Sequence, residues 1–312
     1  MPPTTPDAAD LTAAPLQRMP VLAAALGIAA DDLLVLREDL VGTAGGGNKV
    51  RKAEAALLRA RADGIRTVVT TGAPQSNHAR AVAAVGARLG LRVVLVLRGD
   101  DPGRRTGNVL LDHLLGADVR WAGDADLAEC AADAARAADG PTRVIPFGGS
   151  DAAAVDVYAA VGADLDARVP GLRHAVVAVG SGATAAGLVA ALGAERVLGV
   201  DTGAVPDPRS TVLGLLRDAR PDAPWDGAAL RLDHQQVGTG YGRLQPAVLD
   251  AVRSVARGDG VLVDVTYAGR ALAGLVAAVR SGVIAPGERA VLVHTGGLPG
   301  AFGHPELERA LG

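Results

Sequence analysis

The sequence predicts an α/β protein of two domains, each built on an open, mostly parallel, twisted sheet. Three observations support this fold class. Short β-branched runs alternate along the chain with longer alanine- and leucine-rich segments, as in strands joined by crossover helices. Several of the longer segments, such as residues 78–89, are of helix length and end in glycine. The 312 residues are enough for two compact domains.

The strands and helices are predicted in chain order from these patterns. Strands are expected at residues 67–71, 92–97, 118–121, 143–146, 175–179, 196–200, 261–265 and 290–294. Helices are expected at residues 49–62 with Asn48 as N-cap, from near Asn77 to 89, at 127–138 and at 184–192. We expect residues 1–50 plus 160–312 to form a larger domain and residues 51–159 a smaller, inserted one.

Composition excludes several classes of protein. Apolar residues make up 49% of the chain and the net charge is −3, which is typical of a globular protein rather than a disordered one. Aromatic residues are only 2% and basic residues are scattered, so a nucleic-acid surface is not expected. No HExxH or similar spacing of histidines occurs, and no metal site is expected.

The same features bear on the compartment. The single Cys130 cannot form an internal disulfide, and the first twenty residues lack the basic start and apolar run of a secretory signal. A cytoplasmic protein is therefore expected. Residues 175–194 are uncharged and of membrane-spanning length, but Gly180, Ser181 and Gly182 interrupt them. A strand, a tight turn and a helix explain this segment better than a membrane span.

Lys49 and Lys52 are the only lysines of the chain, and they follow three glycines in the stretch GGGNKVRK. A lysine amine can form a Schiff base with a carbonyl cofactor, which an arginine cannot do. The glycines allow backbone and ligand to approach closely. A location in the first helical turn would also disfavour the ammonium form of Lys49. The alternative is that both are ordinary solvated lysines at a helix start.

A second polar turn, TTGAPQSNHAR, follows the strand at residues 67–71. Gln75, Ser76 and Asn77 offer short polar groups that suit a carboxylate or a phenolic oxygen at a helix N-terminus. The alternative is simple helix capping by Ser76 or Asn77. His78 is expected to be a packed or solvated first-turn residue rather than a base.

A third turn, AVGSGATAAG, joins a strand to a helix and predicts a phosphate cup. The N–H groups of residues 181–184 and two hydroxyls would form it. A competing interpretation is a dinucleotide fingerprint made by Gly180, Gly182 and Ala185, with Asp201 as the ribose acid. That hypothesis of an NAD-dependent oxidoreductase leaves both lysines and the second turn unexplained.

Taken together, the motifs GGGNKVRK, PQSNHAR, VIPFGGS, AVGSGATAAGL, GTGYG, VDVTYAGRALAGL and VHTGGLPGAFG resemble those of the D-cysteine desulfhydrase and 1-aminocyclopropane-1-carboxylate deaminase family, in order and spacing. The resemblance spans residues 36–302. It implies a fold-type II (tryptophan-synthase-β-like) enzyme that holds pyridoxal 5′-phosphate between two domains. It also implies a homodimer that acts on a small amino acid.

The resemblance assigns roles to individual residues. Lys49 would bind the cofactor as a Schiff base and move the substrate α-proton, and Asn77 would hydrogen-bond the phenolic oxygen. Tyr241 and Tyr267 match two active-site tyrosines. The phosphate and the cofactor edge would be held by Lys52, Gly180, Ser181, Gly182, Ala183, Thr184 and Thr295. The substrate carboxylate would be bound by Gln75, Ser76, Asn77 and His78, with Ser76 also counted as catalytic.

One departure from the family pattern bears on mechanism. The deaminases have glutamate and the desulfhydrases have threonine as partner to the pyridine nitrogen, where this chain has Ala268. The favoured hypothesis is α,β-elimination from D-cysteine to pyruvate, ammonia and sulfide. Deamination of the cyclopropane amino acid, or another elimination or replacement, remains an alternative. A catalytically quiet cofactor-binding protein is another, because alanine cannot contact the ring nitrogen.

Overall fold

The computed structural model describes residues 13–312. Its strands are β1 Leu16–Arg18, β2 Leu33–Arg37, β3 Thr67–Gly72, β4 Arg92–Leu97, β5 Asp118–Trp121, β6 Thr142–Val144, β7 Leu172–Val179, β8 Val197–Asp201, β9 Arg231–Asp233 and β10 Arg289–His294. Its helices are α1 Pro20–Leu26, α2 Asn48–Ala62, α3 Asn77–Leu89, α4 Gly107–Leu114, α5 Leu127–Arg136, α6 Ala152–Arg168, α7 Ala183–Leu192, α8 Pro208–Ala219, α9 Pro246–Asp259, α10 Ala268–Arg280, α11 Leu298–Ala301 and α12 Pro305–Leu311.

The strands form two sheets. The larger sheet has the order β1-β2-β10-β7-β8-β9 and is parallel apart from the antiparallel pairing of β1 with β2. The smaller sheet has the order β5-β4-β3-β6 and is entirely parallel. This is the α/β fold with mostly parallel sheets that the alternating sequence pattern predicts.

Helices cover both faces of each sheet, so the strands are apolar on both sides. In the larger unit, one core packs residues of α1, α9 and α10 against the sheet, and the other packs residues of α6, α7 and α8. In the smaller unit, α2 and α3 supply one core and α5 the other. The four-stranded sheet uses residues 67–144, whereas the six-stranded sheet takes strands from before and after that segment. The predicted domain boundaries after residues 50 and 159 stay a prediction.

The strand predicted at residues 261–265 is wrong. That segment is extended but pairs with no strand among the described residues. Val261 and Val263 are buried and Leu262 is exposed, so the alternation in the sequence reports burial rather than pairing. Its backbone is instead bound by a side chain, because His294 Nε2 donates to Leu262 O at 2.8 Å.

The sequence analysis also missed three strands, β1, β2 and β9. Two of them are only three residues long, too short for an alternating pattern to stand out. The interrupted apolar segment at residues 175–194 is resolved as β7, a turn and α7, as predicted. Within residues 13–312, no helix combines the length and the apolar character that a membrane crossing requires.

Candidate active site

A cavity of about 290 Å³ opens where strands of both sheets end. The turns after β3, β7 and β10 supply Ser76, Ser181 and Thr295 to its wall, and the start of α2 supplies Lys49. In parallel α/β sheets, ligands bind at these carboxyl ends of strands. The predicted site residues that line the cavity are Lys49, Lys52, Ser76, Asn77, His78, Gly180, Ser181, Gly182, Thr184, Tyr241, Tyr267 and Thr295.

Lys49 is the second residue of α2, and its side chain enters the cavity. Its Nζ donates to Gly148 O and to Ser181 Oγ, both at 3.0 Å. Gly47, not Asn48, is the N-cap residue of α2, so the predicted cap is wrong. The Asn48 side chain crosses instead to α7, where its Nδ2 donates to Thr184 Oγ1 at 3.0 Å. This bond joins the lysine helix to the turn that was predicted to hold phosphate.

Electrostatics favour a neutral amine at Lys49. Burial, which removes water from the ammonium group, lowers the pKa of Lys49 to about 8. Burial and the positive charge of Lys49 hold the pKa of Lys52 well below its ordinary value. An amine with a lowered pKa supplies more of the nucleophilic form near neutral pH. Two neighbouring amines in one cavity also create a site that an anion would stabilise.

The turn between β7 and α7 presents small residues to the cavity. Gly182 is the N-cap of α7 with φ at +92°, a conformation that favours glycine. The first N–H groups of a helix have no partner within the helix, so they can bind an anion. Gly180, Ser181, Gly182 and Thr184 line the cavity, whereas Ala183 is buried and does not.

Ser76 and Asn77 begin α3 at the cavity wall. Ser76 is the N-cap, since its Oγ accepts from Ala79 N at 3.1 Å. Gln75 lies outside the cavity. Its Nε2 donates to Thr106 O at 3.1 Å and its Oε1 accepts from Asn108 N at 2.8 Å. Because both ends of this amide are occupied, the structure does not support the predicted contact of Gln75 with substrate.

His78 is a packed residue, as the sequence analysis expected. Thr70 Oγ1 donates to Ile145 O at 3.1 Å, so it must accept from His78 Nε2 at 2.9 Å. Nδ1 then carries the lone pair, and it has no hydrogen-bond partner among the described residues. Burial, followed by the charges of Lys49 and Lys52, holds the pKa of His78 well below its ordinary value. A neutral His78 can shape the carboxylate site but adds no charge to it.

Tyr241 and Tyr267 form the opposite wall. Their hydroxyl oxygens are 2.7 Å apart and their rings pack edge to face, with centroids 6.1 Å apart. Burial raises the pKa of both phenols, that of Tyr267 well above its ordinary value. Tyr267 directly precedes α10, whose first residue is the fully buried Ala268. The hydroxyl-bearing Thr295 also lines the cavity.

A short turn, Phe147–Gly149, contributes contacts that the sequence analysis did not assign. Besides the bond from Lys49 to Gly148 O, Ser150 Oγ donates to Ser181 Oγ at 2.8 Å and Lys52 Nζ donates to Ser150 Oγ at 3.4 Å. A β-carbon at Gly148 would overlap Ser181 Oγ, so only glycine fits here. The stretch VIPFGGS contains the signal, although it was considered there only as part of the family pattern and as an unsupported nucleophile elbow.

These residues fit pyridoxal 5′-phosphate. A lysine amine with a lowered pKa can carry the aldehyde carbon, the start of α7 can take the phosphate, and Asn77 can face the ring. Comparison with known proteins supports the same conclusion, because a family model described as "Pyridoxal-phosphate dependent enzyme" matches residues 9–296. The chain belongs to this family, and it is a fold-type II enzyme of the lyase type.

Its relatives narrow the class to the deaminase and desulfhydrase type. The chain is 36% identical to "1-aminocyclopropane-1-carboxylate deaminase" of Burkholderia vietnamiensis (strain G4 / LMG 22486), with 95% of each chain covered. It is 35% identical to "Putative 1-aminocyclopropane-1-carboxylate deaminase" of Pyrococcus abyssi (strain GE5 / Orsay), covering 94% of this chain and 91% of that one.

Solved structures give the same result. A crystal structure titled as an "ACC deaminase homologue" superposes with a TM-score of 0.86 and 30% identity, covering 97% of this chain and 94% of that one. Threonine deaminase isoform 2 from Solanum lycopersicum has a TM-score of 0.69 at 18% identity, covering 97% of this chain and 90% of that one. This second likeness shows the shared fold.

The dinucleotide interpretation finds no support in the site. The turn with Gly180 and Gly182 faces Lys49 through Ser181. The proposed ribose acid, Asp201, is occupied, since its Oδ1 accepts from Gly203 N at 2.8 Å and its Oδ2 lies 2.9 Å from His234 Nδ1. Pyridoxal phosphate is the cofactor of the family to which the chain belongs.

Proposed function

We propose that this chain catalyses α,β-elimination from a small amino acid, with D-cysteine as the favoured substrate and pyruvate, ammonia and sulfide as products. The observation that supports it most directly is the partly neutral amine of Lys49, which lies in the cavity with the tyrosine pair in the opposite wall. The bound cofactor would supply the electron sink for the charge that develops at the substrate α-carbon.

Lys49 has two tasks in this proposal. Its amine holds the cofactor, and after the substrate amine has displaced it, Nζ accepts the α-proton. Gly148 O and Ser181 Oγ, each 3.0 Å from Nζ, keep the amine at one side of the cavity in both tasks. Because burial lowers the pKa of Lys49 to about 8, the freed amine has a substantial neutral fraction near neutral pH.

The tyrosine pair acts on the leaving group. Tyr241 and Tyr267 share one hydrogen bond, which leaves one of the two hydroxyl protons to be donated. Since burial raises the pKa of both groups, they stay protonated near neutral pH and can pass a proton to the departing thiolate. The α-proton goes to Lys49 and sulfide leaves with a tyrosine proton. The released aminoacrylate then adds water and yields pyruvate and ammonia.

Two features favour this substrate over the cyclopropane amino acid, although the relatives' names favour the latter. The sequence HAR after QSN resembles the desulfhydrases more than the deaminases. Ala268 also leaves no acidic side chain at the position where the deaminases have glutamate. Opening of the cyclopropane amino acid is the second candidate, because Lys49 and the tyrosines would serve that reaction equally.

The experiment that tests the proposal measures keto-acid release by the purified, cofactor-loaded protein. Substrates are D- and L-cysteine, β-chloroalanine, D-serine and 1-aminocyclopropane-1-carboxylate. We expect pyruvate from D-cysteine and β-chloroalanine. Release of 2-oxobutanoate from the cyclopropane substrate, with no other turnover, would establish the second candidate instead. Turnover of none of them would favour a catalytically quiet binding protein.

Two further measurements test the site itself. Borohydride reduction should attach a pyridoxyl group to Lys49, and Lys49→Arg should abolish both the visible colour and turnover. A yellow, active Lys49→Arg variant would overturn the proposal. Ala268→Thr adds a hydroxyl that could reach the ring nitrogen, and Ala268→Val is the matched apolar control. A change in spectrum or rate with threonine alone would show that this contact limits catalysis.

We also expect, from the family resemblance, that the chain works as a homodimer in the cytoplasm. Sedimentation equilibrium of the purified protein should give about twice the 31.3 kDa mass of the chain. A monomer with full activity would contradict this expectation.

A further inference from the structure

Asn108 is a fully buried amide in the first turn of α4, beside the turn that carries Asn77. Its Nδ2 donates to Gln75 O and to Asn77 Oδ1, both at 2.9 Å. Its backbone N–H donates to Gln75 Oε1 at 2.8 Å. Asn108 therefore contacts a cavity residue while lying outside the cavity itself.

The Gln75 carbonyl determines which way round both amides lie. A carbonyl oxygen only accepts hydrogen bonds, so the Asn108 atom that faces Gln75 O must be the NH₂ group. The same NH₂ group faces Asn77, so the Asn77 atom nearest to it must be the oxygen. The two ends of an amide differ, and the Asn77 NH₂ is consequently directed away from Asn108.

The cavity is where that NH₂ group is available. Asn77 is part of the cavity wall, and its Nδ2 donates to no other residue in the range 13–312. An Asn77 amide of the opposite orientation would present a carbonyl oxygen to the cavity. A carbonyl oxygen would repel an ionised phenolic oxygen, whereas an N–H group binds it.

The surroundings of Asn108 show that it is held as a donor. Its own Oδ1 is buried and has no partner among the described residues, an unfavourable arrangement that both hydrogen bonds from Nδ2 offset. Gln75 is fixed in turn by its bond to Thr106 O. A β-carbon at Gly107 would overlap Gln75 Oε1, so the chain places glycine where this contact forms.

We propose that Asn108 is a positioning residue that orients the Asn77 amide so that its N–H groups face the phenolic oxygen of the bound cofactor. The inference rests on the proposed function, since it assumes that the cofactor occupies this cavity. It assigns Asn108 a role in tuning the Schiff base beyond that of a structural link between α4 and the turn before α3.

The consequence is spectroscopic. A donor to the phenolic oxygen stabilises its negative charge and weakens the hold of that oxygen on the Schiff-base proton. Loss of the donor therefore raises the pH at which the visible band of the lysine-bound cofactor titrates. Asn108→Asp is nearly isosteric and replaces the donor with an acceptor, so it should turn the Asn77 amide around.

The test is a pH titration of the visible absorbance of purified, cofactor-loaded variants. We expect Asn108→Asp and Asn108→Ala to raise the titration midpoint by about one pH unit. Asn77→Ala should shift it in the same direction. The double variant Asn77→Ala with Asn108→Ala should shift no further than Asn77→Ala alone, because Asn108 acts through Asn77.

Asp112→Asn is the matched control, since Asp112 is also fully buried and lies one turn further along α4 without a bond to Asn77. It should leave the midpoint unchanged. Wild-type midpoints in both Asn108 variants, beside a shifted Asn77→Ala, would overturn the inference and reduce Asn108 to a structural link. Absence of a visible band in the wild-type protein would instead overturn the proposed function and this inference together. If Asn108→Ala does not fold, the near-isosteric aspartate variant decides.

Discussion

The hydroxyl oxygens of Tyr241 and Tyr267 lie 2.7 Å apart, and the two residues are 26 positions apart in the sequence. Tyr241 lies in a loop and is 40% exposed, whereas Tyr267 lies at the start of α10 and is more buried. The pair therefore connects the outside of the cavity with its interior. A proton can pass along a hydrogen bond of this length when one of the two groups is consumed.

The tyrosine pair yields the first prediction. Tyr267→Phe should lower kcat by about 10²- to 10⁴-fold, as expected for removal of a proton donor, with a smaller effect on KM. Tyr241→Phe should have a smaller effect, because water can replace an exposed hydroxyl. Keto-acid release measured over a range of substrate concentrations separates kcat from KM. An unchanged kcat in Tyr267→Phe would remove the tyrosines from the chemistry.

The lowered pKa of Lys49 predicts a pH dependence for cofactor binding. Only the neutral amine attacks an aldehyde, and the neutral fraction grows as the pH rises through the pKa of about 8. Recombination of cofactor-free protein with pyridoxal phosphate, followed by stopped-flow absorbance, should accelerate from pH 7 to 9 with a midpoint near 8. A midpoint above 10 would show that burial does not perturb this lysine.

A buried ion pair behind Lys49 predicts a stability effect. Arg51 donates to both carboxylate oxygens of the fully buried Glu38, at 2.8 and 2.9 Å, and Tyr158 Oη donates to Glu38 Oε2 at 2.8 Å. Glu38→Ala should lower the free energy of unfolding by about 3–5 kcal/mol, because it strands a buried guanidinium. Urea denaturation measures this.

The control for Glu38 is an exposed pair of the same type. Asp101→Ala removes the partner of Arg105 at the surface, and it should leave the unfolding midpoint unchanged. Tyr158→Phe should cost less than Glu38→Ala, about 1–3 kcal/mol. Equal losses in all three variants would contradict the role of burial.

Asp112 predicts a stabilising substitution. Burial raises the pKa of Asp112 to about 7, with a partial offset from Arg80, and neither carboxylate oxygen has a partner among the described residues. Because the folded-state pKa is raised, ionisation costs stability as the pH rises from about 4 to about 7. Asp112→Asn should therefore raise the free energy of unfolding by roughly 1–4 kcal/mol at pH 8.

The pH dependence distinguishes this effect from better packing. The advantage of Asp112→Asn should shrink as the pH falls from 7 towards 4, where the aspartate is protonated in both states. Thermal unfolding at pH 5 and pH 8 provides the comparison. An equal gain at both values would exclude ionisation as the cause.

The sequence predicted the chemistry of this chain better than its hydrogen bonding. The lysines, the strand-ending turns and the parallel α/β rhythm are local patterns, and each appears in the structure where a short motif predicts it. Residues 261–265 show the limit, because an alternating run reports which side chains are buried and carries no record of a neighbouring strand.

The functions of polar side chains were harder to infer. Gln75 was predicted to bind substrate from its place in a polar turn, yet its two bonds go to residues 106 and 108. Asn48 has the composition of an N-cap but bonds to Thr184, 136 positions away. Such partners depend on how two distant turns meet, and a single sequence does not encode that distance in any local pattern.

The position of β10 has a consequence for biosynthesis. This strand pairs with β2 on one side and β7 on the other, so it occupies the middle of the six-stranded sheet. Since β10 emerges from the ribosome long after its two neighbours, they must wait apart until it is made. All four strands of the smaller sheet are available by residue 144, so that sheet can assemble during translation while the other remains open.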